Sequence, residues 1–286
     1  MKNYLKNLPK DIRDLIHLAG EVASQTNVYA YLVGGIVRDL ILGVPNFDLD
    51  LLIQDDGLKF AFEFARRVDA RLVVHSRFGT ATLITPKKIK LDIATARSEI
   101  YPYPTSLPLV SPGTIEEDLA RRDFTINALA IDLLPKDFGR LIDFYQGRKD
   151  LKARVVRIMH DLSFIDDPTR IIRAVRFEQR MKFRIEPHSL RLLKQSASKG
   201  MLKRLSPHRL RDEIILILNE PLAIRCILRL EKLVGLDFIH PKLKLNKKDL
   251  EYLGAIKNEI NWFNKNFPKH RPLDNWLMYF LSLIHI

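Results

Sequence analysis

The chain is 286 residues long, 47% hydrophobic and 28% charged, with 12 Gly, 15 Pro and a single Cys. That length covers about two domains, and the composition excludes a disordered or collagen-like chain. Cys226 alone excludes an intramolecular disulfide and any cysteine-based zinc cluster, so a reducing, cytoplasmic compartment is expected. Lys and Arg number 47 against 34 Asp and Glu, a net charge of +13 that points to nucleic acid or nucleotide as partner. A solvated basic surface is the alternative reading of charge alone.

Met1 to Lys10 lacks the apolar run of a secretion signal. The most apolar late stretch, Trp276 to Ile286, is 11 residues, far short of the ~20 that span a bilayer. No membrane partner is expected.

In chain order, Asp11–Ala23 has helical period. Tyr29–Val33 is a short apolar run ending in Gly34-Gly35, and Ile36–Leu42 reads as a helix closed by Gly43. Phe47–Ile53 alternates as a strand, Leu58–Val68 has helical period, and Arg71–Val74, Thr80–Thr85 and Ile89–Ala94 read as further strands. Tyr101–Gly113 holds Pro102, Pro104, Pro108 and Pro112 and reads as a mobile loop, of the kind that closes over a site. Phe124–Leu133 is a last strand or a helix, and Gly139–Asp150 is a turn-rich closing segment.

From Leu151 the pattern changes. Pro168–Met181, Glu186–Ser196, Ser206–Leu218 and Pro221–Leu233 are helical in period, so a boundary is placed near Asp150. Residues 151–215 carry 16 basic and 7 acidic side chains, most of the surplus charge. The expected fold class is α+β, a mixed α/β head followed by an all-helical second half. The final helix, Asn275–Ile286, stops inside an apolar run without a cap, as an interrupted chain would.

The sharpest constellation is Gly34-Gly35-Ile36-Val37-Arg38-Asp39 followed by Asp48-Leu49-Asp50. A strand running through two glycines into a helix lets backbone amides approach an anion, with Arg38 adding charge one turn in; a plain tight turn is the other reading. Strand period puts Asp48 and Asp50 on one face, about 6.5–7 Å apart at Cα. Two carboxylates so placed can share a hard divalent cation such as magnesium, or form a solvated acidic edge. Asp92 offers a third carboxylate from another strand.

Arg121 and Arg122 can clamp phosphate oxygens bidentately or pair with Asp118 at a helix end. In Asp166-Asp167-Pro168-Thr169-Arg170, Pro168 suits the first helical position and Asp167 the cap. Arg170, Arg173 and Arg176 follow on one broad helix face, a row that is costly unless something anionic lies along it. The eight histidines show no metal-ligand spacing, and Cys226 reads as packing.

Taken together, the runs LVGGIVRDLILG, NFDLDLLI, DLARRDFTINALA, DFYQGRKDL, DDPTRIIRAVRF and RLSPHRLRDEI resemble the class II tRNA nucleotidyltransferase and bacterial poly(A) polymerase family over roughly residues 30–218. The resemblance implies a nucleotidyltransferase head (1–150), a helical neck that recognises the base (151–218) and the start of a helical body (219–286), ending before a tail. It implies template-independent addition of CMP or AMP, from CTP and ATP, to the 3′ end of tRNA, with Mg2+ as cofactor. Complete CCA addition, a CC-only or A-only share of it, and poly(A) synthesis all stay open, as does the oligomeric state; the intact acidic pair argues against a non-catalytic RNA-binding relative.

Carried over residue by residue, Asp48 and Asp50 match the catalytic, metal-holding pair and Asp92 a third catalytic position. Gly35 and Arg38 match the nucleotide-phosphate contacts and Arg122 an arginine at the bound nucleotide. Asp167 and Arg170 match the pair that reads the base edge, and Arg173 and Arg176 further nucleotide-binding positions. Cytosine and adenine both offer an exocyclic amino donor to Asp167, where U and G offer a carbonyl oxygen. The family usually has Glu-Asp where this chain has Asp166-Asp167, which shortens the first carboxylate of the base pocket.

Overall fold

The computed structural model describes residues 4–285. The chain divides into two compact units, one of residues 1–102, 107–153 and 157–159, the other of 103–106, 154–156 and 160–286. Among the described residues no helix is long and apolar enough to cross a membrane.

In the first unit the elements run α1 (Lys10–Gln25), β1 (Tyr29–Val33), α2 (Gly35–Leu42), β2 (Leu49–Gln54), α3 (Gly57–Arg67), β3 (Arg71–His75), β4 (Thr80–Ile84), β5 (Lys90–Thr95), β6 (Arg97–Ile100), β7 (Leu109–Pro112), α4 (Ile115–Ala120), β8 (Ala130–Asp132), β9 (Leu141–Ile142) and α5 (Gly147–Ala153). Seven strands make one sheet in the order β3-β4-β5-β2-β1-β8-β9. Its pairings are antiparallel except β2 with β5.

The parallel pair arises because α3, β3 and β4 intervene between β2 and β5 and return the chain to the same end. Asp56 starts α3 by accepting the Lys59 amide at 2.9 Å, and the helix lays Phe60 and Phe64, both fully buried, into the core. α1 packs on β1 and α3 on β4 and β5. A separate apolar cluster unites Tyr31, Val33, Leu52, Leu119, Ala128 and Ala130. Tyr31 and Leu52 are register partners, so this cluster lies on the sheet face that Asp50, two residues before Leu52, shares.

Three expectations change here. Tyr101–Gly113 is not wholly irregular: β7 pairs with β6 as a two-stranded ribbon, with Pro112 at an edge where its missing N–H breaks no interior ladder. Phe124–Leu133 is neither one strand nor one helix but a 3-10 turn, Thr125–Asn127, followed by β8. The second half contains two-residue strands, β10 (Val155–Val156) and β11 (Arg184–Ile185), joined in parallel.

The rest of the second unit is helical: α6 (Ser163–Asp166), α7 (Thr169–Met181), α8 (Pro187–Ser198), α9 (Pro207–Leu218), α10 (Ala223–Val234), α11 (Lys247–Asn266) and α12 (Asn275–His285). The chain end at Ile286 lies outside the described residues. Proline at the first turn opens α8 and α9, and the Asn246–Asp249 capping box opens α11. α7 packs against α9 and α10, and Arg229 of α10 grips the buried Glu178 of α7 with two bonds of 2.7 and 2.8 Å. Cys226 is fully buried and its thiol is pushed up to about 12 by burial, which suits packing.

Candidate active site

β1 runs into Gly34, whose φ of +79° swings the chain into α2. That backbone favours glycine, and space is tight: a Cβ there would come within 3.2 Å of Asp50 Oδ2 and 3.4 Å of Arg122 Nη1. The turn, Asp50 and Arg122 therefore meet at one point.

Asp50 of β2 is in register with Asp92 of β5, which is in register with Thr82 of β4. All three point to one face of the sheet. They line a cavity of about 320 Å³ together with Val33, Arg121 and Arg122. The Asp50 carboxyl is pushed up to about 6, first by burial and then by the charge of Asp92; Arg122 opposes this and Asp48 adds to it. No hydrogen bond to the Asp50 carboxylate is present among the described residues.

Asp48 stands one residue before β2 and is exposed. The reading that set it inside the strand beside Asp50 needs this correction: its amide donates to Asn46 Oδ1 at 2.9 Å, so it joins a turn and not the ladder. Asp92 is held at both oxygens, by Thr82 Oγ1 at 2.6 Å and Lys90 Nζ at 2.7 Å. Among the described residues no group of three or more His, Cys, Asp or Glu side chains could hold a metal ion; the three aspartates do not close into a ready-made ligand set.

Arg121 and Arg122 both bond Asp118, which is fully buried: Arg121 Nη2 at 2.6 Å and Arg122 Nη2 at 3.2 Å. The Asp118 pairing, one of the two readings, is present. It also fixes Arg122 against the glycine turn, where Nη1 donates to the Asn127 carbonyl at 3.3 Å and Nε is buried with no hydrogen-bond partner.

Arg38 is buried and donates to both oxygens of Asp39, at 2.8 and 3.0 Å, and to Asn127 Oδ1 at 2.8 Å. Asn46 donates to the same Asp39 at 2.7 Å. A Cβ on Gly35 would lie 3.5 Å from Arg38 Nη2, so the guanidinium folds back over the start of α2. Asn46 and Asn127 carry no signal of their own in the sequence; Asn127 lies in the quoted run DLARRDFTINALA, but its partner is 89 residues away.

The second unit carries its own polar cluster. Pro168 precedes α7 and the Asp167 side chain serves its first turn: Oδ1 accepts from the Thr169 amide at 3.0 Å and hydroxyl at 2.6 Å. The same oxygen is 2.7 Å from Arg209 Nη2 of α9. Arg170 and Arg176 are buried. Arg173 bonds Glu213 Oε1 at 3.3 Å, so the protein itself supplies an anion along the arginine row. Burial lowers the Arg176 guanidinium from its ordinary value and raises the Glu213 carboxyl, which Arg173 and Arg176 pull back. Arg209 and Glu213 lie in the quoted run RLSPHRLRDEI, but their partners come from another helix.

Against this geometry the comparisons with known proteins are consistent. Residues 30–157 match the family described as poly A polymerase head domain, and residues 182–246 that described as a probable RNA- and SrmB-binding site of polymerase A. A solved tRNA nucleotidyltransferase, titled as complexed with a primer tRNA and an incoming ATP analog, is 38% identical and superposes with a TM-score of 0.80 over 93% of this chain and 75% of its own. The chain belongs to the tRNA nucleotidyltransferase and poly(A) polymerase family. Among relatives of this chain, the A-adding tRNA nucleotidyltransferase of Geobacter sulfurreducens is 41% identical over 97% of this chain and 32% of its own length. The A-adding enzyme of Halalkalibacterium halodurans is 42% identical over 94% of this chain and 64% of its own. The chain thus spans between about a third and two thirds of these relatives.

A nucleotidyltransferase head of this family implies a divalent metal, and although the aspartates form no closed ligand set, the chemistry of the Asp50 carboxylate suits one. Asp50 is desolvated, repelled by two neighbouring carboxylates and without a hydrogen-bond donor, and hard oxygen ligands of this kind suit a hard cation.

Proposed function

We propose that this chain is the catalytic portion of a template-independent nucleotidyltransferase that joins AMP, from ATP, to the 3′ end of tRNA and releases pyrophosphate. The observation that carries the reading is the meeting of the Gly34 turn, Arg122 and the raised carboxyl of Asp50 on a face shared with Asp92. AMP is favoured because three relatives at 41–42% identity over 89–97% of this chain are named A-adding, whereas the CC-adding relative is 37% identical over 66% of it.

In the reaction the terminal ribose oxygen attacks the α-phosphorus, its proton leaves, and the bond to the β-phosphate oxygen breaks. Asp48 and Asp50 would hold magnesium, which would supply charge neutralisation for the attacking and leaving oxygens. The amides at the start of α2 offer donors to phosphate at close backbone approach. Arg122, fixed by Asp118, contributes a positive charge beside Asp50. Asp167 accepts the exocyclic amino group of the base, and Arg170, Arg173 and Arg176 bind the nucleotide around it. A cytosolic setting suits this chemistry and the free, buried Cys226.

The test uses tRNA ending at the first or second C, tRNA lacking all three terminal nucleotides, and an unrelated RNA, each with one NTP at a time. A single A on tRNA ending in CC is expected, and Asp50→Ala should abolish it. Long A tracts on the unrelated RNA would favour poly(A) synthesis, and C addition a CC- or CCA-adding activity. No incorporation on any RNA would overturn the reading.

A further inference from the structure

Two residues of α9 have no part in the reaction as proposed, Arg209 and Glu213. Four apart, they share one helix face, and each reaches α7: Arg209 Nη2 to Asp167 Oδ1 at 2.7 Å, and Glu213 Oε1 to Arg173 Nη1 at 3.3 Å. Asp167 Oδ1 therefore accepts two hydrogen bonds from Thr169, at 2.6 and 3.0 Å, and makes an ion pair with Arg209 at 2.7 Å, while no donor among the described residues reaches Oδ2. The terminal torsion of an aspartate is broad and two-fold when nothing holds it. Two hydrogen bonds and an ion pair on one oxygen remove that freedom and leave the other oxygen as a fixed acceptor.

The surroundings are unfinished in a consistent way. Arg209 Nη1, Arg176 Nε and Glu213 Oε2 are all buried with no hydrogen-bond partner. Buried polar atoms are nearly always satisfied, so three orphans in one cluster suit a place that receives a polar ligand. A brace serving only to hold α7 to α9 has no need of them.

We propose that Arg209, assisted by the Thr169 hydroxyl, is a positioning residue for base selection. It pins Asp167 through Oδ1 so that Oδ2 faces the base edge, accepting from an amino group and repelling a carbonyl oxygen. This rests on the assignment of Asp167 as base reader. Free to rotate, the same carboxylate would turn away from a mismatched edge at little cost, and discrimination would fall.

The test measures kcat/KM for each of the four NTPs with tRNA lacking its terminal A, and the equilibrium binding of each NTP without RNA. The proteins are the wild type, Asp167→Asn, Arg209→Ala, Arg209→Lys and Thr169→Val, each checked for folding by circular dichroism. Arg209→Ala is expected to lower the ratio of ATP to GTP by about tenfold, the scale of one hydrogen bond to a charged group, chiefly through KM for ATP. Arg209→Lys should recover part of the ratio, because an ammonium can still donate to Oδ1 as a point charge. Thr169→Val should shift the ratio the same way if Arg209→Ala does not fold. An equal loss with all four NTPs, or an unchanged ratio in both Arg209→Ala and Thr169→Val, would overturn the positioning role. A wild type without NTP preference, or an Asp167→Asn protein that keeps it, would overturn the base-reader assignment and the inference with it.

Discussion

Replacing Asp50 by asparagine should make the protein more stable at neutral pH while removing its activity. The Asp50 carboxyl lies at about 6 in the folded protein against an ordinary 3.8, a rise of about 2 pH units. At about 1.36 kcal/mol per unit this is roughly 3 kcal/mol, and water entering the open side of the cavity screens it toward about 2 kcal/mol. The sign follows from proton binding. Between pH 4 and 6, values bracketed by those two pKa figures, the folded state holds the proton that the unfolded state has lost, so stability falls as pH rises. Above this window ionised Asp50 carries the whole cost, and a neutral isostere avoids it.

Thermal and urea unfolding in the presence of a chelator, at pH 8, 6 and 4, reads this directly. Asp50→Asn should melt roughly 4–8 °C above the wild type at pH 8, on the scale of about 2–4 °C per kcal/mol for a domain of this size, and the gap should close toward pH 4. A divalent cation should raise the wild type more than the variant, because binding to the folded state adds stability by mass action. A gap that does not change with pH, or a variant less stable than the wild type at pH 8, would refute the account of Asp50 as a carboxylate raised by burial and by Asp92.

Other substitutions test the supports of the site. Gly34→Ala should cost about 1–3 kcal/mol, because φ there is +79°, and should lower transfer at least ~10-fold through the displacement of Asp50, with each 1.36 kcal/mol off the barrier worth a factor of ten; melts and steady-state kinetics check the two effects. Asp118→Asn leaves Arg121 and Arg122 short of their shared counter-charge and should cost about 3 kcal/mol, seen as a lower urea midpoint together with a raised KM for the nucleotide. Glu178→Gln should destabilise the second unit by a similar ~3 kcal/mol by stranding Arg229, without altering the choice among NTPs.

The order of elements was legible in the sequence because local rules decide it. A strand that runs into Gly34-Gly35 has to turn, and Gly43, at φ +71°, ends the helix that follows. Asp48 escaped the strand because a side chain two residues away, Asn46, took its amide, a competition that period-2 patterning cannot register. The proline-rich stretch was misread for a related reason: proline signals a break, yet an edge strand such as β7 tolerates it. What could not be read at all is the wiring between elements. Asn127 reaches Arg38 across 89 positions, and Arg209 reaches Asp167 from a different helix, and neither pairing leaves a trace in spacing.

The polar pairings around the candidate site are also the ones that cost the fold most. A chain under selection for stability alone would not bury Asp118 beneath two arginines, raise Asp50 by burial beside Asp92, or leave Arg122 Nε, Arg176 Nε and Glu213 Oε2 without partners. Packed apolar side chains in those places would serve the core as well or better. These costs fall in two places, the face that carries Asp50 and the helix pair α7–α9, while the apolar packing of α1 and α3 against the sheet shows nothing comparable. The division follows the two tasks of the proposed transfer, holding reacting oxygens and choosing a base. Strain concentrated there, and compensated by the rest of each unit, is the physical signature by which the site can be told from its scaffold.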